Sequence, residues 1–439
     1  MASLGHMPYE ILYQIFHSCS PQELCCLTYT CKRLELVAGT CLWSEIELHG
    51  DGYHELSSEL SEPLPHKSRK PFYRSSKKTG WQSDISKRAE RLFTLLQTLH
   101  ARNEDRLIEL TGRVRRLCTV IEPNLHPKQD EVLNLTSVWN LLPYFKNLES
   151  LELHGDFDTI KSSNVVSEIV APPLTKLRFA KLFAYIPRHV ATYILKSGTI
   201  LERLELGILD EPISCEAGID AEDDQNRDRW DANARGVIPR PLGDFYPQSP
   251  LSFPKLKHLY LCQPCNAHED YYGQSDAWSM GSELASLESW KRVLLSSGQT
   301  LETLVLEQRP GAGVEENEGF SEEEFLNSGV TGAGSRVLVE TLADTLLEET
   351  TFCKLKRVYL YGLVANPKLR KGLPQDTPAD WLIQGLGERR ISCEARRGKW
   401  CLFDQDTGKA SWAKWDGDGT SNIYDGYMGI CQYTLLAKD

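Results

Sequence analysis

Two periods of apolar residues organise the chain. The first is helical and fills the stretch from Leu4 to Ile46, LGHMPYEILYQIFHSCSPQELCCLTYTCKRLELVAGTCLWSEI. Ile11, Leu12, Ile15, Phe16 and Cys19 follow Pro8 at helical spacing, and proline fits a first helical position because the N–H it lacks would be unpaired there anyway. Ser20, Pro21 and Glu23 then form a second start signal, a serine N-cap with proline in the first turn and a glutamate placed to close a capping box. Leu24, Leu27, Cys31, Leu34 and Val37 carry the apolar face on to Gly39, a helix stop, and Leu42 and Trp43 close the unit. A unit of fewer than about 50 residues buries only a modest part of its apolar surface alone. The pattern therefore predicts short helices that need a partner.

The second period is that of buried strands. Residues 148–153 (LESLEL), 201–206 (LERLEL), 256–261 (LKHLYL) and 301–306 (LETLVL) share the form L-x-x-L-x-L. Looser copies stand at 174–179 (LTKLRF) and 355–360 (LKRVYL), and the weakest begins at Val114. Helical candidates at 137–145, 187–196, 284–295 and 337–347 lie between them. A strand followed by a helix cannot bury its apolar face alone, whereas stacked copies can. The leucines of such strands face inward and the x positions outward. The outward set is Ser150, Glu152 and His154, then Lys176 and Arg178, Arg203 and Glu205, His258 and Tyr260, Thr303 and Val305, and finally Arg357, Tyr359 and Tyr361. Tyrosine and arginine are favoured binding anchors, which selects Tyr260, Arg357, Tyr359 and Tyr361 as candidate target-binding residues. Ordinary exposed strand positions account for any one of them equally well.

The remaining stretches break both periods. Residues 50–87 gain Ser, Pro, Lys and Gly and read as a linker, with a helical pattern resuming at 88–99 (RAERLFTLLQTL). Insertions at 210–250 and 311–335 carry EDDQNRDRWD and EENEGFSEEEF, and their charge predicts mobile surface loops. After Arg389, residues 400–403 and 410–415 flank a turn at 404–408 and read as a β-hairpin, with a further strand near 431–436.

The opening unit resembles an F-box, the helical module that docks the small adaptor subunit of SCF-type cullin-RING ubiquitin ligases. The resemblance rests on Met7-Pro8-Tyr9-Glu10-Ile11, Ile15-Phe16, Ser20-Pro21-Gln22-Glu23-Leu24, Cys31-Lys32-Arg33-Leu34 and Leu42-Trp43, with Met7 and Cys19 where the family usually has leucine. It implies adaptor contact through Met7, Pro8, Ile11, Ile15, Phe16, Leu24, Leu27, Leu34, Leu42 and Trp43. The repeated strands resemble a degenerate leucine-rich repeat: the first two intervals fall within the usual range of about 20–29 residues, and the longer ones contain the insertions. The asparagine usual after the last leucine is absent, and a compact α/β domain satisfies the same spacing.

The implied fold class is α/β: all-α F-box helices (1–48), a linker and connecting helix (49–104), an irregular leucine-rich-repeat-like solenoid (105–388), and a small β-rich cap (389–439) over its open end. The implied function is that of a non-catalytic substrate-recognition subunit, joining the adaptor, and through it cullin, to a target protein. The alternative is a scaffold that binds the adaptor without cullin.

Composition narrows the classes. Across 439 residues the net charge is −12, against the excess of cations that nucleic-acid binding needs. Neither a basic leader nor an apolar run near the roughly 20 residues of a membrane span is visible, so a cytoplasmic or nuclear protein without membrane contact is expected. The 13 cysteines, five of them between Cys19 and Cys41, read as small apolar residues rather than a disulfide framework. His66-Lys67-Ser68-Arg69-Lys70, Arg74 and Lys77-Lys78 form a basic run, read as a solvated loop or a nuclear-import patch. Cys262, Cys265 and His268 have zinc-ligand flavour without a fourth ligand, and Asp416, Asp418 and Asp425 lack EF-hand spacing. No phosphate loop, dinucleotide fingerprint or nucleophile elbow is present, so neither catalysis nor a cofactor or metal is expected.

Overall fold

The structure is a computed structural model that describes residues 6–48, 81–121, 136–155, 169–210, 240–247, 249–265, 280–313, 335–348, 350–363, 365, 377–396 and 401–403. Three helices open it, α1 (Tyr9–His17), α2 (Pro21–Thr28) and α3 (Lys32–Ser44). Pro8 stands at the N-cap of α1, one position before the first helical residue. The capping box of α2 closes as expected: the Glu23 N–H donates to Ser20 Oγ at 3.3 Å and the Ser20 N–H to the Glu23 carboxylate at 2.7 Å. Gly39 does not stop α3. It is buried inside the helix, where an added Cβ would stand 3.1 Å from Arg113 Nη1, so close packing explains the glycine.

From α3 the chain runs directly into β1 (Glu45–Leu48), the first strand of a large sheet. Then come α4 (Trp81–Arg102), α5 (Glu104–Thr111), β2 (Arg116–Ile121), a 3₁₀ helix (Val138–Tyr144), β3 (Ser150–Gly155), β4 (Phe179–Ala184), α6 (Arg188–Leu195) and β5 (Arg203–Asp210). The order continues with β6 (Arg240–Pro241), β7 (His258–Cys265), α7 (Met280–Ser297), β8 (Thr303–Gly313), α8 (Ser335–Leu347), β9 (Arg357–Tyr361), α9 (Pro378–Glu388), β10 (Ser392–Arg396) and β11 (Cys401–Phe403). Among the described residues nine strands lie side by side as β1-β2-β3-β4-β5-β7-β8-β9-β10, parallel throughout, and neighbours in the sheet follow one another along the chain.

Register explains why the strands stack. Leu117, Leu151, Ala180, Leu204, Leu259, Leu304 and Val358 form one transverse row, and Thr119, Leu153, Leu182, Leu206, Leu261, Leu306 and Leu360 the next. These rows pack into one core with Val190 and Ile194 of α6, Trp290 and Leu294 of α7, Leu338 and Leu342 of α8, and Leu382 and Leu386 of α9. Each fully buried leucine contributes about 1.5–3 kcal/mol.

The register corrects one frame. The copy at 174–179 is displaced by three residues: Leu177, Ala180 and Leu182 occupy the three ladder positions, and the alanine at the middle position hides the pattern. The copy at Val114 holds its place, with Leu117 and Thr119 in the two rows. Trp43, Ile46 and Leu48 have the same spacing ahead of and within β1, so the end of the helical unit doubles as the start of the sheet.

Three further expectations meet the structure differently. Helix α4 starts at Trp81, inside the stretch read as linker. The insertion at 210–250 is not loop throughout: β6 pairs antiparallel with the end of β5, and Leu242, Phe245 and Tyr246 are buried in the common core because they are apolar and lie beside α7. Beyond α9, β10 joins the sheet beside β9, and β11 pairs in parallel with Gly311–Gly313 at the end of β8. The expected return strand of the hairpin, the strand near 431–436, and the basic run at 66–78 lie outside the described residues.

Candidate docking face

The opening unit has a core of its own. Leu12, Phe16, Leu24, Leu34, Val37, Ala38 and Cys41 are buried together, with Met7, Tyr13, Cys19, Leu27 and Leu42 packed around them. Helix α1 carries two apolar stripes. Leu12 and Phe16 point inward, while Pro8, Ile11 and Ile15 stand on the outer side, with Ile11 43% and Ile15 38% exposed. A partner covering these two β-branched residues, one turn apart, would remove apolar surface from water. Tyr9, Tyr29 and Leu36 are exposed on the same unit, Tyr29 to 90%. The helical period did not single them out.

The unit is fixed against the sheet. The Arg115 N–H donates to the Ser44 carbonyl at 2.8 Å, and Trp43 packs on the sheet's core. Tyr9 and Tyr13 stack with ring centroids 6.3 Å apart, and Tyr13 meets His17 edge-on at 6.0 Å. Burial pushes the Tyr13 phenol above its ordinary value, and the hydrogen bonds from Ser20 hold the Glu23 carboxyl below its own.

Ten residues were expected to face an adaptor. Pro8, Ile11 and Ile15 stand open on the outer side of the unit, and Met7, Leu27 and Leu42 are half-buried at the margin of the core. Phe16, Leu24 and Leu34 do not: each is almost wholly enclosed by the unit's own helices, so they hold the stripe in place. Trp43 belongs to the sheet junction. Spacing alone does not separate the two stripes of α1, because Ile11 and Leu12 differ only by one step around the helix.

The second expected site lies across the sheet, on the face away from the helices. Register places Glu47, Cys118, Glu152, Lys181, Glu205, Tyr260, Val305, Tyr359 and Glu394 in one transverse row. Tyr361 stands in the next row, beside Glu307. Tyr260 and Tyr359 are therefore brought onto one line, but Tyr260, Tyr359 and Tyr361 are each at most 3% exposed. The open surface expected for them is not there. Arg357 is exposed.

Polar contacts pair groups within these enclosed rows. The Tyr260 hydroxyl donates to the Glu307 carboxylate, Arg203 pairs with Glu205, and the Lys181 ammonium lies 4.9 Å from the Phe183 ring centroid. Cys118 Sγ lies 3.9 Å from the Glu152 carboxylate, and burial pushes its thiol well above the ordinary range. The corrected frame puts Lys181 in this row and moves Lys176 and Arg178 to the turn before β4.

The geometry is that of a small helical unit with a core complete in itself, an apolar stripe turned outward, and a direct join through β1 to a parallel α/β sheet. A family model described as F-box-like matches residues 4–49, so the module is an F-box-like domain. F-box domains act in protein interaction, generally as non-catalytic modules that bind a small adaptor subunit. No curated protein matches the chain. Among the described residues no group of three or more His, Cys, Asp or Glu is placed to hold a metal ion, and no helix is long and apolar enough to cross a membrane.

Proposed function

We propose that this chain is the substrate-recognition subunit of an SCF-type cullin-RING ubiquitin ligase, acting in the cytoplasm, the nucleus or both. The observation that carries the reading is the outward stripe of Pro8, Ile11 and Ile15 on an F-box-like domain whose own core is already closed. The stripe binds the adaptor and, through it, cullin. The sheet is a leucine-rich-repeat arc, a reading supported by nine parallel strands in chain order with leucines in register across them. It holds the target, with Arg357 in direct contact and Tyr260, Tyr359 and Tyr361 supporting it from within. Catalysis needs no site in this chain, because tethering raises the local concentration of target lysines around the transferring enzyme.

Affinity purification tests the reading. The wild-type chain is expected to recover adaptor and cullin together, and the Ile11→Asp, Ile15→Asp chain neither. Adaptor without cullin would favour a scaffold outside ubiquitination, and no adaptor at all would overturn both readings. The substitution is preferable to deleting residues 1–48, which would also remove β1 from the sheet.

A further inference from the structure

The turns that lead into the strands carry a charge pattern that the docking face leaves unused. Before β2, β4, β7 and β9 the chain reads cation, apolar, cation: Arg113-Val114-Arg115, Lys176-Leu177-Arg178, Lys255-Leu256-Lys257 and Lys354-Leu355-Lys356. Before β3, β5 and β8 it reads Asn147-Leu148-Glu149, Ile200-Leu201-Glu202 and Thr300-Leu301-Glu302. Because the strands lie in the order β2-β3-β4-β5-β7-β8-β9, a doubly basic turn falls on every second strand.

The inner cations are largely answered by the glutamates between them. Arg115 stands 3.8 Å from Glu149, Arg178 2.8 Å from Glu202 and Lys356 2.7 Å from Glu302. The outer ones are answered less completely. Arg113 pairs with Glu109 and Lys176 donates to Asn147 Oδ1 at 2.7 Å, but Lys176, Lys255 and Lys354 are exposed and make no ion pair with a described residue. Residues 112–116, 145–150, 174–179, 196–203, 252–258, 298–303, 350–357 and 388–392 together hold 15 Lys and Arg against 4 Glu, in a chain of net charge −12. This one edge is strongly basic on an acidic protein.

We infer that the edge binds an acidic segment of a partner protein, lying across the strands with a carboxylate at every third residue. Neighbouring strands are about 4.8 Å apart, so Lys176, Lys255 and Lys354 recur about every 9.6 Å. A polyproline II segment has three residues per turn and about 3.1 Å rise, so positions i, i+3 and i+6 line one side at about 9.3 Å. A β-extended segment turns i and i+3 to opposite faces and does not match. A nucleic-acid strand carries a charge about every 3.4 Å and would meet Glu149, Glu202 and Glu302 between the cations. Polyproline II is also a major conformer of unfolded chains, the state of most acidic, polar segments. The inference concerns the sheet alone and stands whether or not the helical unit binds an adaptor.

Fluorescence anisotropy on the full chain tests it, with three labelled probes of equal charge. One is a peptide with glutamate at every third position, one has the same residues with the glutamates in a block, and one is a single-stranded oligonucleotide. The spaced peptide is expected to bind at least about fivefold tighter than either control, and to weaken severalfold between about 50 and 200 mM salt. The Lys176→Glu, Lys255→Glu, Lys354→Glu chain should lose at least about tenfold for the spaced peptide at an unchanged thermal midpoint. If that variant fails to fold, glutamine at the same three positions serves the comparison. Equal binding by folded variant and wild type, or by block and spaced peptides, would overturn the inference, and tighter binding of the oligonucleotide would replace the acidic peptide with nucleic acid.

Discussion

Replacing Ile11 and Ile15 together by alanine separates docking from folding. The two side chains are 43% and 38% exposed, so about two-fifths of each remains for a partner to cover. Full burial of an isoleucine is worth about 1.5–3 kcal/mol, which leaves about 0.6–1.2 kcal/mol per residue and about 1–2.5 kcal/mol for the pair. The affinity for the adaptor should fall about 5- to 70-fold. Aspartate at both positions adds the cost of burying unpaired charge, several kcal/mol more, and should abolish binding. Neither side chain belongs to the unit's core, but about three-fifths of each is already covered in the free chain, so the unfolding free energy should fall by up to about 2 kcal/mol per residue, less than for a core residue. Phe16→Ala is the opposite control: it empties a closed core and should cost about 3–5 kcal/mol. Calorimetric titration of purified adaptor into each full-length variant, beside thermal unfolding, reads both effects. If the double alanine variant keeps its affinity within about twofold while Phe16→Ala loses it, the outward stripe is not the docking face and the reasoning from exposure is wrong.

Other consequences can be measured on the isolated chain. Gly155→Ala would put a Cβ 2.0 Å from the Tyr185 carbonyl oxygen, so the backbone must shift and the thermal midpoint should drop; an unchanged midpoint would show that this crossing is misplaced. Among the described cysteines, Cys25, Cys26, Cys31 and Cys353 are exposed and should react with a thiol reagent at once. Cys118, buried and with its thiol pushed up by burial, should react only on unfolding, and fast native labelling of it would contradict the enclosed inner face. The Glu202 and Glu302 carboxyls are held below their usual range by hydrogen bonds from Arg178 and Lys356. Their contribution is complete above the unfolded glutamate value of about 4.3 and is lost as pH falls through the lower folded values. Glu202→Gln together with Glu302→Gln should therefore shallow the fall of the urea midpoint below about pH 4, and an unaltered slope would count against the ladder.

How far these features could be read from residues alone depends on which force governs each. Local chemistry was legible: Ser20, Pro21 and Glu23 form their capping box, and helix periods placed α1, α6, α7 and α8 to within a few residues. Repetition was legible where leucine fills each ladder position. It failed at β4, where Ala180 takes the middle place, and at α4, whose first turn reads QSDISK after Trp81. Burial of the inner face was not legible. Glu152, Lys181 and Glu205 look like solvent residues along the chain, and only the register that sets them side by side makes their enclosure affordable. The same limit applied to α1, where only the tertiary contacts of Leu12 and Phe16 distinguish inward from outward apolar residues.

The most direct measurement is reconstitution of the full chain with purified adaptor and cullin, followed by light scattering on the eluted species. The account expects one complex containing one copy of each, and no complex when Ile11 and Ile15 are both aspartate. A complex that forms equally well with the aspartate variant, or adaptor that binds while cullin stays behind, would contradict it.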